Sequence, residues 1–251
     1  MITLLTDFGT VDYFVGAVKG AILSVNPRVV IVDITHEIPP QDVEGAAFTL
    51  LASYQTFPAG TIHFAVVDPG VGSARRPIVV KAREQLFVGP DNGIFTYIYD
   101  REPTPQVFHI TSEKYFRPSP STTFQGRDIF APVAAALSKD VKPEDLGPLI
   151  SDPVRLNSSE GLKIIHIDRF GNCITNITRD LVDPKRQPTL VINRKQINAF
   201  REFYGSGSPN ELFAIWGSAG FLEISLNGSS AAEKLHAKRG DAVLVTQDPQ
   251  N

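Results

Sequence analysis

MITLLTDFGTVDYFVGAVKGAILSVNPRVVIVDIT, residues 1–35, is the stretch that decides the fold. MITLLT (1–6) and VVIVDIT (29–35) are short β-branched runs closed off by polar or turn residues, the pattern of buried strands. Between them DYFVGAVKGAILSVN (12–26) carries apolar residues at helical spacing, and Asp12 near its start puts a carboxylate where the helix dipole favours one. Strand, helix, strand is the unit of a parallel sheet, because parallel neighbours need a long crossover between them.

The same alternation continues outward. TIHFAVV (61–67), PIVVKA (77–82), QLFVG (85–89) and QVFHIT (106–111) read as further buried strands, and QDVEGAAFTLLASYQ (41–55) and RDIFAPVAAALSK (127–139) as helices with Asp42 and Asp128 near their starts. The expectation is an α/β fold with a mostly parallel sheet covered by helices on both faces. After Leu149 the texture changes, since SDPVRLNSSEG (151–161) is polar and aperiodic. Beyond it come GLKIIHID, PTLVINRKQI, NELFAIWGS, GFLEISLN and DAVLVTQ, short strands with turn residues between them, and SSAAEKLHA as the one helix candidate. The sequence therefore predicts an α/β domain over 1–150, a linker over 151–161 and a smaller, mostly-β, barrel-like domain over 162–251, with no internal repeat.

Bulk properties narrow the partners. A chain of 251 residues with 42% hydrophobic content can bury a full-sized core. The net charge of −3 divides into 12 basic against 16 acidic residues before position 151 and 12 against 11 after it, with no basic cluster. That argues against a nucleic-acid groove and for a small-molecule ligand. No segment approaches the roughly 20 apolar residues of a membrane span, and MITLLTDFGT lacks a basic flank, so no membrane partner and a cytoplasmic location are expected. Cys173 has no second cysteine to bridge or to share a zinc ion with, and is expected to pack.

Ligands of open α/β sheets collect at the carboxyl ends of strands. Asp7 follows the first strand, Asp33 and His36 lie at the end of the second, and Asp68 follows the third in VVDPGVGS (66–73). Each alone reads equally as a loop or helix cap, but two carboxylates closing neighbouring strands point to a site. Neither a G-x-G-x-x-G after the first strand nor a G-x-x-x-x-G-K-[ST] is present. An acid opening a glycine loop would repel a phosphate; it suits a sugar diol, a cation or a water that must be held. No metal and no cofactor are expected, because histidines 36, 63, 109, 166 and 236 lack ligand spacing. An all-oxygen metal site through Asp7, Asp33 and Asp68 stands as a separate reading.

Seven segments carry a resemblance: TDFGTVDYFVGAVKG (6–20), ITHEIPPQDVEGAAF (34–48), VVDPGVGSARRPI (66–78), GPDNGIFT (89–96), FQGRDIFAPVAA (124–135), IDRFGNCITNI (167–177) and GSAGFLEISLNG (217–228). In this order and spacing the chain resembles the S-adenosyl-L-methionine (SAM) hydroxide adenosyltransferases, the adenosine-forming SAM hydrolases related to bacterial fluorinase and chlorinase. The resemblance implies an N-terminal α/β domain, a C-terminal β-barrel, and a homotrimer whose active sites lie between one subunit's first domain and its neighbour's second. It implies attack of water or hydroxide on the ribose C5′ of SAM, releasing adenosine and L-methionine.

The same resemblance assigns residues. Asp68 and Arg75 would hold and polarise the water, with Arg76 the alternative if the loop register differs. Asp7 would bind the ribose hydroxyls, supported by Asp12. Asp168 would meet the methionine ammonium and Ser218 its carboxylate. Phe170 and Tyr204 would pack on the purine, and Asn172 with the backbone near Asn227 and Gly228 would read its edge. One departure is expected to matter: the hydrolases usually show a histidine where this chain has Gln125, and an amide orients water but takes up no proton near neutral pH. The alternative function is therefore a SAM- or adenosine-binding protein with weak hydrolysis. Halogenation is disfavoured, since Asp68 would set a negative charge beside a halide where the family's halogenases carry tyrosine.

Overall fold

A computed structural model describes residues 1–157, 161–186 and 188–246. The chain divides into two compact units, Met1–Asn157 and the described part of Ser158–Asn251. Residues 158–160 of the expected linker, and residues 247–251 of the second domain, lie outside the described residues.

Unit 1 follows the order β1 (Ile2–Thr6), α1 (Phe14–Val25), β2 (Ile31–Thr35), α2 (Val43–Ser53), β3 (Ile62–Val66), β4 (Pro77–Ala82), β5 (Gln85–Pro90), α3 (Thr96–Arg101), β6 (Gln106–His109), α4 (Ala131–Leu137) and β7 (Leu149–Ile150). Its sheet has the strand order β2-β1-β3-β5-β4-β6-β7. The pairs β2–β1, β1–β3 and β3–β5 are parallel, and β4 and β7 run against their neighbours. The sheet is thus mostly parallel in strand direction. The central strands β1 and β3 are buried along their whole length, which is why they read as unbroken apolar runs.

Period-two alternation separates the two faces. Ile2, Leu4, Phe64 and Val66 form one core with Val18, Ala21 and Ile22 of α1 and Phe130, Val133, Ala134 and Leu137 at α4. Thr3, Leu5, His63 and Ala65 belong to the opposite face and are equally buried. Asp42 caps α2 as expected, accepting from Gly45 N at 2.9 Å. Asp12 and Asp128 do not cap. Tyr13 precedes α1, and Asp128 sits inside a π turn, Gly126–Phe130, that leads into α4.

Unit 2 contains β8 (Ile164–Ile167), β9 (Cys173–Thr175), β10 (Thr189–Ile192), β11 (Lys195–Ile197), β12 (Ala199–Phe200), β13 (Leu212–Trp216), β14 (Leu222–Leu226), α5 (Ala231–Leu235) and β15 (Leu244–Thr246). The expected mostly-β character holds, and no closed barrel forms among the described residues. Among the described residues the strands form one sheet of order β11-β10-β15 and another of order β12-β13-β14-β9-β8, joined beside β8 and β15 by the antiparallel bridge Lys163–Ala242. Cys173 lies in the core with Ile164, Leu190, Leu222 and Ile224, where burial pushes its thiol up to about 12, so it packs as a neutral side chain.

Candidate active site

In unit 1 the parallel register of β1 and β3 pairs Thr6 with Val66, so the chain leaves both strands side by side at their carboxyl ends. Asp7 and Asp68 follow at once, and both line a cleft of about 250 Å³ with Phe8, Gln41, Phe124, Gln125 and Gly126. Asp68 does not stand alone there. Arg75 Nε donates to both of its carboxylate oxygens at 3.0 Å, and Arg75 Nη2 reaches Oδ2 at 2.5 Å. Arg75 Nη2 also donates to Gln125 Oε1. The guanidinium carbon sits 5.3 Å from the centre of the Phe130 ring, adding a cation–π contact from below. The side chains of Arg75 and Asp68 are only 9% and 6% exposed, so the pair is held in a poorly solvated setting where its geometry matters.

The glycine loop makes this packing possible. Gly72 has a φ of +78°, and a Cβ there would overlap the Thr122 carbonyl oxygen. The loop after β3 therefore lies directly on the segment that delivers Gln125. On the other side of the cleft Asp7 Oδ2 accepts from Gln41 N at 2.8 Å, which fixes the carboxylate and leaves Oδ1 outside that bond. Phe8, Phe14 and Phe124 cluster with ring centres 5.2–5.9 Å apart and form an aromatic wall.

Neighbouring charged residues have other tasks. Arg76 is taken up by Asp91 Oδ2, Asp152 Oδ1 and the Asp152 carbonyl at 2.7–2.8 Å, and Asp91 in turn accepts from Val154 N. It pins the segment after β7, while Arg75, itself outside the cleft lining, bonds to the lining residues Asp68 and Gln125. Asp33 lies within β2, paired with Lys19 at 2.7 Å, and is not among the cleft residues. Asp128 is clasped by Arg127 at 2.7–2.8 Å and by Ser121 N, and the Arg127 hydrogen bond holds its carboxyl below the usual range. Asp12 is exposed and does not line the cleft.

The histidines do not replace the missing family histidine in the cleft lining. His36 Nδ1 is bonded to Thr6 Oγ1, and His63 Nδ1 to Thr3 Oγ1, both at 2.8 Å. His63 stacks on Phe87 at 4.9 Å, and burial lowers it to about 4, so it is neutral at pH 7.

Unit 2 holds a second pocket, about 610 Å³, lined by Asp168, Phe170, Asn172, Tyr204, Leu226, Gly228, Ser229 and Ser230. Five of the residues expected in the second domain therefore meet in one place. Phe170 is 78% exposed and Tyr204 48%. Asp168 is built into the turn after β8: Oδ1 accepts from Phe170 N and Asn172 N, and Oδ2 from Asn172 Nδ2, at 2.8–2.9 Å. Its carboxylate thus fixes the backbone of the turn and the Asn172 side chain. Ser218 and Asn227 are not brought to the lining. Ser218 is exposed in the turn after β13, and Asn227 donates through Nδ2 to Gly207 O at 2.8 Å.

One pocket residue has a partner the motifs do not single out. Tyr204 Oη donates to Glu223 Oε2 at 2.8 Å. Glu223 is 8% exposed on β14, and burial raises its carboxyl, with the negative charge of Asp168 adding and the Tyr204 hydrogen bond opposing. Burial and then Glu223 push the Tyr204 phenol up to about 12. A carboxylic acid in GFLEISLN, a strand buried at every position, is the signal that marks it in the sequence.

Comparison with known proteins covers both units. The family model for the SAM hydroxide adenosyltransferase N-terminal domain matches residues 2–147, and that for the C-terminal domain matches residues 162–244. An (R)-S-adenosyl-L-methionine hydrolase of Methanocaldococcus jannaschii is 36% identical over 257 residues, spanning 98% of this chain and 95% of its own. A fluorinase of an Actinoplanes species is 25% identical over 290 residues, spanning 98% and 97%. A crystal structure of an uncharacterised conserved protein from Thermotoga maritima is similar with a TM-score of 0.91 at 35% identity, covering 98% of this chain and all of the other. With both of its units matched in order, the chain belongs to the SAM hydroxide adenosyltransferase family.

Proposed function

We propose that the protein hydrolyses SAM to adenosine and L-methionine. The observation that carries this reading is the Asp68–Arg75–Gln125 cluster at the end of β3, beside Asp7 at the end of β1. A water oxygen bonds to the ribose C5′ as the C5′–S bond breaks. The electron pair goes to sulfur, which leaves as the neutral thioether of methionine, and one proton is released. No general acid is needed, so the site has only to hold a nucleophile in line and accept its proton.

The side chains divide that work. Asp68 is the proton acceptor. Gln125 turns its carbonyl to Arg75, which leaves its amide nitrogen able only to donate. Arg75 favours the hydroxide that develops at the same atom. Asp7 takes the ribose hydroxyls, and Asp12, outside the cleft lining, keeps its supporting role in this reading. In unit 2, Phe170 and Tyr204 sandwich the purine, Asn172 and the Gly228 backbone meet its edge, and Asp168 meets the methionine ammonium. Ser218 and Asn227, which lie outside the pocket lining, keep the roles of methionine-carboxylate partner and backbone purine contact in this reading. Weak binding without turnover is not favoured: the cleft keeps a buried carboxylate on a guanidinium, and the relatives at 33–36% identity are named hydrolases. Halide attack is disfavoured by the same carboxylate.

The proposal includes a homotrimer whose sites join unit 1 of one subunit to unit 2 of the next, because the two half-sites lie in different units and each is open to solvent. The domain division at 1–150 and 162–251 belongs to it as well, supported by separate family matches to each part. So does a cytoplasmic setting, a reducing compartment in which the buried Cys173 stays a thiol. The test is incubation with SAM in ¹⁸O-water. Adenosine carrying the label at O5′ is expected, and unlabelled adenosine or none overturns the reading. Running the assay with each sulfonium epimer separately asks whether this chain shares the (R) preference in its relatives' name.

A further inference from the structure

Glu223 is costly where it stands. Its strand, β14, is buried at every position, and an apolar residue of similar length would avoid the cost of removing a carboxyl from water. Its carboxyl reaches in two directions. Oε2 accepts from the Tyr204 hydroxyl at 2.8 Å. Oε1 fills the space over Gly217, where a Cβ would overlap it. Gly217 opens the turn closed by Gly217 N→Phe221 O and Gly220 N→Gly217 O at 2.9 and 3.0 Å, and that turn carries Ser218. A single side chain therefore touches the aromatic wall of the pocket and the base of the turn assigned to the methionine carboxylate.

We propose that Glu223 is a positioning residue for SAM, fixing through Tyr204 and Gly217 the separation between the purine wall and the Ser218 turn. The inference rests on the proposed function, since it is that reading which puts the two ends of one substrate at these two places. Tyr204 is half exposed. Without the hydroxyl–carboxyl bond its ring is free to rotate away from the pocket, and a ring ordered only on binding costs affinity. The neutral acid suits the role better than the ion, because a carboxylate behind the turn would repel the methionine carboxylate in front of it.

The test is a cycle of Glu223→Met, Tyr204→Phe and the double variant, with Glu223→Gln as the conservative control. Met keeps length and bulk but cannot accept the bond. Glu223→Met and Tyr204→Phe should each raise KM for SAM up to about tenfold with kcat within about threefold, the range set by losing one hydrogen bond. The double variant should be no worse than either single one, and Glu223→Gln should stay near the parental KM. Glu223→Met should match or exceed the parent in thermal midpoint. Parental KM in Glu223→Met, or multiplied effects in the double variant, overturns the proposal. If Glu223→Met fails to fold, Tyr204→Phe against Glu223→Gln still reads the bond. If the parent makes no adenosine, the proposed function fails by itself, and calorimetric adenosine binding by the same variants reads the positioning role separately.

Discussion

The two half-sites are built on opposite plans. In unit 1 the side chains assigned to chemistry are buried, charged and tied down: Asp68 and Arg75 share three contacts, Gln125 takes a fourth, and Phe130 backs the guanidinium. In unit 2 the aromatic residues assigned to binding stand largely in solvent, Phe170 held at its backbone by the Asp168 turn and Tyr204 at its hydroxyl by Glu223. Groups that must meet a developing charge gain from being preorganised, since reorganisation at the moment of reaction adds to the barrier. Groups that must admit a large flat ring gain from staying open until it arrives. The contrast predicts that changes in unit 1 act on kcat and changes in unit 2 on KM.

The strongest way to break the contrast is Asp68→Asn. The amide keeps the shape and one acceptor for Arg75 but removes the proton acceptor, so kcat should fall about 10³-fold with KM little changed. Adenosine release at saturating SAM measures it, and a parental kcat would end the mechanism. Acid offers the next test, because the units carry buried groups of opposite sign. His63 in β3 is lowered to about 4, so its contribution to unit 1 is complete above its unfolded value near 6.5 and is lost as pH falls toward 4. The loss is about 3 kcal/mol from that gap. Glu223 is raised, so its contribution to unit 2 is complete below its unfolded value and is lost only as pH rises through the folded one. Hydrogen-exchange protection, corrected for the slower intrinsic chemistry in acid, should fall from pH 7 to pH 4 in β3 and not in β14, and His63→Phe should remove most of the difference in β3. Equal loss of protection in both strands would show that the two units share one acid-labile core.

The same two regions differ in how far the sequence discloses them. In unit 1 the strands are long, apolar and separated by amphipathic helices, so periodicity finds β1 to β6 within a few residues. It passes over α3, whose six residues offer no repeat, and begins the last helix at 127, where the chain makes a π turn instead. Asp7 and Asp68 are legible because parallel register forces the ends of adjacent strands together. In unit 2, β9 has only three residues, too few to show a period, so it is not resolved as an element, and sheet closure is unreadable from local pattern. Phe170, Asn172 and Tyr204 come together through turns separated by 32 residues from Asn172 to Tyr204, a contact no local rule supplies. Ser218 and Asn227 stand outside the lining for the same reason: motif membership fixes their turn but not the direction they face.

A smaller effect sharpens the binding half. Phe170→Ala removes an exposed ring, so it should leave the thermal midpoint unchanged and raise KM roughly tenfold, the scale of losing one stacked base contact. A matching loss in kcat would mean that this ring also aligns C5′, and the division between the units would be less clean than drawn. Asp168 offers a control of different kind, since its carboxylate holds the turn itself and its loss should move Phe170 and Asn172 together.

The smallest effect concerns Gln125, and it isolates what the amide does. Because Gln125 Oε1 accepts from Arg75 and the group does not titrate, the parental kcat should carry no limb from this position between pH 5 and 8. In Gln125→His the neutral ring can accept the same bond, so kcat at pH 8 should stay within about threefold of the parent. Below its pKa the ring becomes a cation facing Arg75, loses that bond and repels the guanidinium. The neighbouring positive charge also lowers the histidine value, so the new limb should lie at or below about pH 6.5. Profiles of kcat against pH for the two proteins decide it. A parental profile that already shows the limb would mean that another titrating group governs Arg75, and the carbonyl of Gln125 would no longer be what orients the guanidinium.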